Sequence, residues 1–596
     1  MDVFKIRDSL VDDYESFTTS FVDPRDERIR HHLEERRSSG QQWPDPWLSL
    51  NPFFESGGSI SQLVNEGLLT EGNQPIFKIK DGTNDKGTRE LVLHKHQRDA
   101  IEAARSGSAY VLTTGTGSGK SLAYIVPIVD RVLRERAKNP AAQKSVKAII
   151  VYPMNALANS QQEELKKFLT NGFGEGKEPV TYARYTGQEK DEERQRILAN
   201  PPDILLTNYV MLELLLTRPQ ERKKLINAAR GLQFFVLDEL HTYRGRQGAD
   251  VAMLVRRVRE ATESPNMQCV GTSATMASGG SIIDQKETVA SVASRLFGAT
   301  VTPEHVIGES LIRGTSGDDH DITTLRTEVA RNQFATTFEE LATSPLATWV
   351  ESTFGLTTDN ETGQLVRQQP TTVPVAAQQL AELTGEPAGA CAHAIEAVLH
   401  AGSSVRHPET NRPLFAFRIH QFLSKGDNIY SSIHSPSQRF ITGRYQLAVP
   451  NKPTESLIPL VFCRECGQEY LSVVRDDRDG DIVYRTRPDR DASAGDNAGY
   501  LYISDDFAWP NSSDEVSLFD RLPDSWTAED KRGNKGIIQS RRKKVPYSVR
   551  VLPNGTQTEG TGTGAPVTDD STTSGGVRAA YAPSPFSFCL RCATSY

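Results

Sequence analysis

The sequence lacks any apolar run approaching the roughly 20 residues that a membrane-spanning helix needs. The opening stretch, Met1–Asp8, carries charged residues throughout and so has no apolar core of a secretory signal. No internal repeat is present that would indicate a solenoid or propeller. Together these absences argue against a membrane or secreted protein and predict a cytoplasmic location.

Positive charge is also not in excess. The 68 Lys and Arg residues face 76 Asp and Glu residues, which gives a formal net charge of −8. Basic surfaces supply most non-specific affinity for nucleic acid, so this balance is unusual for a nucleic-acid-binding protein. It does not exclude one, because main-chain amides, hydroxyls and helix N-termini also bind the sugar-phosphate backbone. The length of 596 residues predicts three or four domains.

A glycine-rich loop follows the apolar run Ala109–Leu112 and ends in Lys120 and Ser121. Glycines allow backbone N–H groups to close around phosphate oxygens, the lysine places a charge on the β- and γ-phosphates, and the serine hydroxyl is an oxygen ligand for Mg²⁺. The strict pattern has glycine where Thr114 stands, so the loop alone could be a structural turn. The pattern predicts a nucleotide triphosphate site whose loop residues are Thr116, Gly117, Ser118, Gly119, Lys120 and Ser121.

Two further apolar runs end in polar residues. Phe234–Leu237 is followed by Asp238 and Glu239, and Cys269–Gly271 is followed by Thr272 and the triplet Ser273–Thr275. An aspartate at such a strand end can hold Mg²⁺ through water, and the adjacent glutamate can accept the proton of the water that attacks the γ-phosphate. If these residues stood there by accident, polar residues of the required types would have to follow three apolar runs in this order, counting Ala109–Leu112 as the first.

These motifs resemble those of superfamily-2 helicases of the DEAD/DEAH type. Motif I, the Walker A loop, corresponds to Thr114–Ser121, motif II to Asp238–His241 and motif III to Ser273–Thr275, and the resemblance spans residues 90–310. It implies ATP and Mg²⁺ as cofactors, with Lys120, Asp238 and Glu239 as catalytic residues and with Ser121 and Asp238 at the magnesium. It further implies that His241, Ser273 and Thr275 couple hydrolysis to strand movement.

The resemblance extends to segments that are less specific. Gln97 corresponds to the residue that reads adenine, although alone it could be a surface glutamine. Asn155, Gly187, Thr207 and Asn208 correspond to positions that contact the nucleic-acid backbone, although Thr207 and Asn208 could instead cap the following helix.

The predicted fold class is α/β. Short apolar runs rich in β-branched residues alternate with helices, which indicates a parallel sheet buried on both faces and, with the resemblance, a RecA-like lobe. The expected strands are 109–112, 148–152, 180–185, 204–206, 234–237 and 269–271. The expected domains are an N-terminal helical accessory region (1–90), the ATP-binding helicase lobe (91–310), a small helical or winged-helix-like module (320–450) and a zinc-stabilised, loop-rich module with a long insertion (451–596).

Four of the six cysteines form two Cys-x-x-Cys pairs, Cys463 with Cys466 and Cys589 with Cys592. This spacing, occurring twice, fits one tetrahedral zinc site, although redox pairs or unrelated thiols remain alternatives. The expected role is structural: zinc would join the two ends of a module that has little core of its own.

The Cys463–Tyr470 segment and the Asp238–Gly245 segment also resemble large bacterial helicases with a four-cysteine module. That group serves in DNA repair and anti-phage defence, which implies DNA rather than RNA as the partner. The Gln-x-x-Gly-Arg signature of a second motor lobe is absent from this sequence. We therefore expect a partner protein or a further C-terminal part to supply that lobe, and weak hydrolysis by this chain alone. An alternative is an ATP-gated, non-unwinding DNA-binding scaffold subunit of a defence complex.

Overall fold

A computed structural model divides the chain into two compact units. One, here called the motor unit, is Leu48–Arg418; the other, the sheet unit, combines Met1–Trp47 with Ile419–Tyr596. None of the described helices is long and apolar enough to cross a membrane. The residues that the structure describes are 2–21, 23–40, 43–115, 117–140, 144–274, 281–331, 335, 337–408, 410–423, 428–478, 481–487, 497–511, 513–529, 535–560, 567 and 575–596.

The described residues form helices and strands along both units. The helices are α1 (Val3–Thr19), α2 (Glu27–Ser38), α3 (Ile60–Asn65), α4 (Lys95–Ser106), α5 (Leu122–Lys138), α6 (Asn155–Leu169), α7 (Asp191–Ala199), α8 (Tyr209–Thr217), α9 (Pro219–Glu221), α10 (Gly245–Ala261), α11 (Ile282–Phe297), α12 (Ile322–Arg331), α13 (Phe338–Ala342), α14 (Pro345–Phe354), α15 (Val373–Thr384), α16 (Ala388–Ser404) and α17 (Glu515–Arg521). The strands up to residue 420 are β1 (Trp47–Asn51), β2 (Phe53–Phe54), β3 (Ser56–Ser59), β4 (Lys78–Ile79), β5 (Arg89–Glu90), β6 (Val92–His94), β7 (Tyr110–Thr113), β8 (Ala148–Tyr152), β9 (Tyr182–Arg184), β10 (Ile204–Asn208), β11 (Phe234–Leu237), β12 (Gln268–Ser273), β13 (Val306–Ile307), β14 (Leu311–Ile312), β15 (Leu356–Thr358), β16 (Leu365–Arg367) and β17 (Ala416–His420). The remaining strands are β18 (Tyr430–Ser432), β19 (Ile441–Thr442), β20 (Ala448–Val449), β21 (Lys452–Phe462), β22 (Glu469–Arg478), β23 (Asp481–Thr486), β24 (Ala498–Tyr502), β25 (Thr527–Glu529), β26 (Lys535–Ile537), β27 (Tyr547–Val551), β28 (Gln557–Gly560) and β29 (Val577–Pro583).

A seven-stranded parallel sheet forms the centre of the motor unit, in the order β13-β7-β12-β11-β8-β10-β9. Alternate residues of each strand point to opposite faces, and both faces are covered by helices. On β8, for example, Ile149 and Val151 belong to one apolar cluster and Ala148 and Ile150 to the other. Because β7, β12 and β11 are neighbours and parallel, the residues that follow them meet at one edge of the sheet.

The α/β fold class and the RecA-like parallel sheet are confirmed. The structure gives β8 and β11 the predicted bounds. The strand β9 is shorter than predicted, and β7 begins one residue later, at Tyr110. The strands β10, β7 and β12 extend further, to Asn208, to Thr113, and to Gln268 and Ser273. These polar residues continue the strands because their backbone groups still pair with the neighbouring strand. The sequence analysis did not predict β13, which has only two residues.

Helices dominate the motor unit beyond the sheet. Within the predicted helical or winged-helix-like module at 320–450, α15 and α16 are consecutive helices, whereas the residues from 419 onward belong to the sheet unit. The strand β17 follows α16. An antiparallel hairpin of β15 and β16 precedes these helices and becomes important at the nucleotide site.

The sheet unit corrects the prediction of a loop-rich module with little core. It contains a ten-stranded sheet, and two apolar clusters pack there. Polar residues such as Asp476 and Asp477 belong to the β22–β23 ladder, because an antiparallel sheet can expose one face to water. The long insertion between the two cysteine pairs therefore contains strands such as β23 and β28.

The predicted division at residue 90 does not coincide with the division between the two units. Ile29 of α2 is fully buried in a cluster with strands of the sheet unit, and the Arg25 N–H donates to the Gly467 carbonyl at 3.0 Å. Residues 48–90 belong instead to the motor unit. The charge-rich N-terminal sequence gave no sign that apolar residues of α2, Ile29 and Leu33, pack against strands 400 or more residues further along the chain.

The tight packing of β12 gives a test of the core. A side chain at Gly271 would overlap Leu240 and lie 3.1 Å from the Phe297 ring, both of which are buried. We expect Gly271→Ala to lower the free energy of unfolding by about 1–3 kcal/mol, since the core must shift to accept the methyl group. Urea unfolding measures this free energy. The control is Gly389→Ala in α16, where a Cβ meets nothing within 4 Å; equal effects of the two changes would contradict the packing argument.

Candidate functional site

The phosphate loop connects β7 to α5 at the C-terminal edge of the sheet. Gly117 and Gly119 have φ of +86° and +73°, a left-handed conformation that side chains disfavour. Thr114, which stands where the strict pattern has glycine, places its hydroxyl 2.7 Å from the Ser118 hydroxyl across the loop. The departure from the pattern therefore adds a contact that holds the loop closed. Thr116 lies outside the described residues.

Helix α4 holds the loop from one side. The His96 Nε2 lies 2.9 Å from the Ser118 carbonyl, and the Gln97 amide donates to the Gly119 carbonyl at 2.9 Å. The Gln97 Oε1 also accepts the N–H of His94 at 2.8 Å, which caps α4. Gln97 is only 2% exposed, so the interpretation as a surface glutamine is wrong. Its contacts are with the loop, and adenine recognition stays a prediction.

The predicted catalytic side chains of the loop and of the acidic pair come together. The Lys120 Nζ lies 3.7 Å from the Glu239 Oε1. This ammonium is shielded from solvent and has no hydrogen-bond partner among the described residues. A buried ammonium that makes no hydrogen bond is energetically costly, and phosphate oxygens could accept its hydrogen bonds. Ser121 lies directly before α5, at the helix end that attracts anions.

Thr272 positions the acidic pair, a role that the sequence analysis missed. Its hydroxyl donates to the Asp238 carboxylate and accepts the N–H of Glu239 at 3.1 Å. Burial raises the pKa of Asp238 above its usual range, and the charge of Glu239 adds to the rise, while Thr272 and Lys120 oppose it. The only available signal was its position on β12, directly before Ser273 and beside β11.

Two of the three predicted coupling residues are in contact. The His241 Nδ1 lies 3.4 Å from the Ser273 Oγ and 3.3 Å from the Glu239 Oε2. One imidazole thus joins the ends of β11 and β12 at the acidic pair. Thr275 lies outside the described residues.

A cavity of about 420 Å³ opens at the ends of β8 and β10. Asn155, Gly187 and Asn208 line it, and the Asn208 amide donates to the Asn155 Oδ1 at 2.7 Å. The Asn208 Oδ1 also caps α8 by accepting the Met211 N–H at 2.7 Å, so the capping interpretation holds for this residue. Thr207 differs from the prediction: it is fully buried, and its hydroxyl donates to the Tyr185 carbonyl, so its side chain faces the interior.

The same cavity contains two arginines that the sequence analysis missed. Arg194 donates to the Gly187 carbonyl at 3.0 Å, and Arg218 also lines the cavity. Guanidinium groups bind phosphate oxygens well. Each of these two also lies near a carboxylate, Arg194 at 3.7 Å from Asp191 and Arg218 at 3.6 Å from Glu221. No motif marks them in the sequence, because arginine is common on exposed helices.

In the sheet unit the four predicted zinc ligands form one cluster. Their sulfur atoms all lie within 4.8 Å of one another, with Cys463 to Cys592 at 3.8 Å and Cys466 to Cys589 at 3.7 Å. A tetrahedral zinc site with Zn–S bonds of about 2.3 Å requires sulfur atoms about 3.8 Å apart. All four cysteines are free of disulfides, so these positions fit a zinc ion.

The backbone around the two cysteine pairs supports the same conclusion. The Cys463 N–H donates to the Gln468 carbonyl, and the Cys463 carbonyl accepts the N–H of Gly467. In the same way the Cys589 N–H donates to the Thr594 carbonyl and the Cys589 carbonyl accepts the N–H of Ala593, so both pairs share one hydrogen-bond pattern. Gly467 and Ala593 both have positive φ. Two chain segments that are distant in sequence thus present their thiols in the same way.

The fold and the site define a phosphate-loop nucleotide-binding domain of the α/β class. Residues 94–280 match the family model described as DEAD/DEAH box helicase. This part of the chain is therefore a DEAD/DEAH box helicase domain, as its motifs predicted.

Curated proteins are similar to this chain over part of its length. The Druantia protein DruE of Escherichia coli is 25% identical over 368 residues, covering 43% of this chain and 19% of DruE. The ATP-dependent helicase hrq1 of Schizosaccharomyces pombe is 30% identical over 226 residues, covering 36% of this chain and 20% of hrq1. The chain thus spans about a fifth of the length of these relatives. Among solved structures, the DUF1998 helicase MrfA bound to DNA is 23% identical, with a TM-score of 0.33 over 44% of this chain and 30% of MrfA.

The raised pKa of Asp238 leads to a test by stability. A carboxyl whose pKa is raised by folding destabilises the fold above that pKa, and the penalty disappears as the pH falls through it. We therefore expect Asp238→Asn to raise the melting temperature of the nucleotide-free protein at pH 7.5, with a gain that shrinks towards pH 4. Asp250→Asn on the exposed face of α10 is the matched control. A melting temperature that Asp238→Asn lowers at pH 7.5 would contradict this.

Proposed function

We propose that this chain is the first motor lobe of an ATP-dependent DNA helicase or translocase. The observation that carries the proposal is the meeting of Lys120 and Glu239 at one sheet edge, 3.7 Å apart, beside a buried Asp238. A loop rich in N–H groups, a lysine and an acidic pair are the groups that phosphoryl transfer to water requires.

Each residue of this site has a proposed role. Lys120 and the loop amides would bind the phosphates of ATP, and Ser121 and Asp238 would hold Mg²⁺, which would supply positive charge beside the phosphates. Glu239 accepts the proton of the attacking water. Thr272 keeps the two carboxylates in place, and His241 and Ser273 connect the site to strand movement.

The cavity of Asn155, Gly187 and Asn208 is the proposed nucleic-acid contact. Arg194 and Arg218 add guanidinium groups there, so phosphate can be bound locally although the net charge of the whole chain is negative. The preference for DNA over RNA and the setting in genome maintenance or anti-phage defence rest on the sequence resemblance to helicases with a four-cysteine module. A partner or a further part of the protein would supply the second lobe.

Glu239→Gln tests the proposed base. We expect a fall of about 100-fold or more in single-turnover ATP hydrolysis, with ATP affinity retained, because only proton transfer is removed. Lys120→Ala should instead weaken ATP binding. Radiolabelled ATP with and without single-stranded DNA or RNA gives both quantities, and Glu260→Gln on the exposed face of α10 is the control. Hydrolysis that survives Glu239→Gln would refute the assignment.

The four-cysteine cluster has its own test. We expect the purified chain to contain one zinc per molecule and Cys589→Ser to lose it, with a lower melting temperature, because metal binding contributes to folding. Elemental analysis measures the zinc. The control is Cys391→Ser, which removes a buried cysteine of the motor unit; zinc bound equally by both variants would exclude this cluster.

A further inference from the structure

An ion pair from outside the helicase motifs holds the start of the phosphate loop. The Glu309 Oε1 accepts the N–H of Gly115 at 2.5 Å. Arg367, the last residue of β16, binds both oxygens of the same carboxylate, with Nε to Oε2 at 2.6 Å and Nη2 to Oε1 at 2.9 Å. The Glu309 side chain is 10% exposed and that of Arg367 30%. We call these two residues the loop clamp.

The clamp complements the contacts from α4. His96 and Gln97 hold carbonyls of Ser118 and Gly119 on one side, whereas Glu309 holds the N–H of Gly115 on the other. With two left-handed glycines the loop has much conformational freedom to lose, so ties at both ends lower the entropy cost of closing around phosphate.

A carboxylate is an unexpected group at this position. Glu309 places a negative charge against a loop built to bind the polyanion ATP, and at low exposure that charge is poorly screened by water. The bidentate guanidinium of Arg367 neutralises it while leaving the oxygen that accepts the Gly115 N–H in place. The guanidinium lies so close that a Cβ at Gly115 would be 2.9 Å from the Arg367 Cζ.

We propose that Arg367 is a positioning residue for ATP, which acts by neutralising the carboxylate that anchors the phosphate loop. The β15–β16 hairpin, outside the segment that matches the helicase family, thereby controls nucleotide affinity. This inference rests on the proposed function in one respect, that ATP is the ligand of the loop.

Four proteins test the clamp: wild type, Arg367→Ala, Glu309→Gln and the double variant. Arg367→Ala leaves a bare carboxylate, and we expect it to weaken MgATP binding about tenfold, with a smaller effect on the less charged MgADP. Glu309→Gln keeps an oxygen for the Gly115 N–H and should bind nearly as wild type. The double variant should recover most of the affinity. Calorimetric titration at low and high salt measures these values, and salt should reduce the Arg367→Ala defect.

Controls separate a charge effect from a folding defect. Arg367→Lys keeps the charge but not the two parallel hydrogen bonds, so its affinity should fall between wild type and Arg367→Ala. Arg326→Ala removes an arginine of a more exposed ion pair, with Glu386, in the same unit and should change nothing.

Two outcomes overturn the clamp alone. The first is an unchanged MgATP affinity in Arg367→Ala. The second is a double variant that binds MgATP no better than Arg367→Ala does, in an experiment where wild type binds MgATP and Lys120→Ala does not. Failure of wild type itself to bind MgATP would overturn the proposed function together with the clamp.

Discussion

Parallel pairing of three adjacent strands is the constraint on which the candidate site depends. Because β7, β12 and β11 run side by side in one direction, the groups that follow them must meet at one edge of the sheet. Lys120 arrives after β7, Asp238 and Glu239 after β11, and Thr272 and Ser273 at the end of β12. A different strand order would separate these groups even if the motif residues were unchanged.

The motifs allowed most of this site to be predicted. Lys120, Glu239, His241 and Ser273 could be placed because each follows an apolar run, and runs of that kind become parallel strands. Thr207 could not, because a threonine at a strand end looks the same in sequence whether its hydroxyl faces solvent or, as here, the Tyr185 carbonyl. Thr272 was missed for a related reason, since its contacts with Asp238 and Glu239 exist only after β11 and β12 pair.

Contacts between distant segments explain the remaining differences. Glu309 is 194 residues from Gly115 and 58 from Arg367, and no local pattern connects the three. In the sheet unit, the cysteine spacing correctly indicated that the four cysteines form one cluster. The same segment concealed a sheet, because strands with one polar face and long polar connections resemble loops in composition.

The backbone of Glu239 has a final consequence. This residue has φ of +55°, a left-handed conformation that costs a non-glycine residue about 1–2 kcal/mol. It is held there because its N–H binds Thr272 and its carbonyl accepts both the N–H and the hydroxyl of Thr242, at 2.9 and 2.8 Å. A turn fixed at three points orients the carboxylate before any substrate arrives. The base that we propose is thus preorganised, and little of the activation barrier needs to be spent on moving it into place.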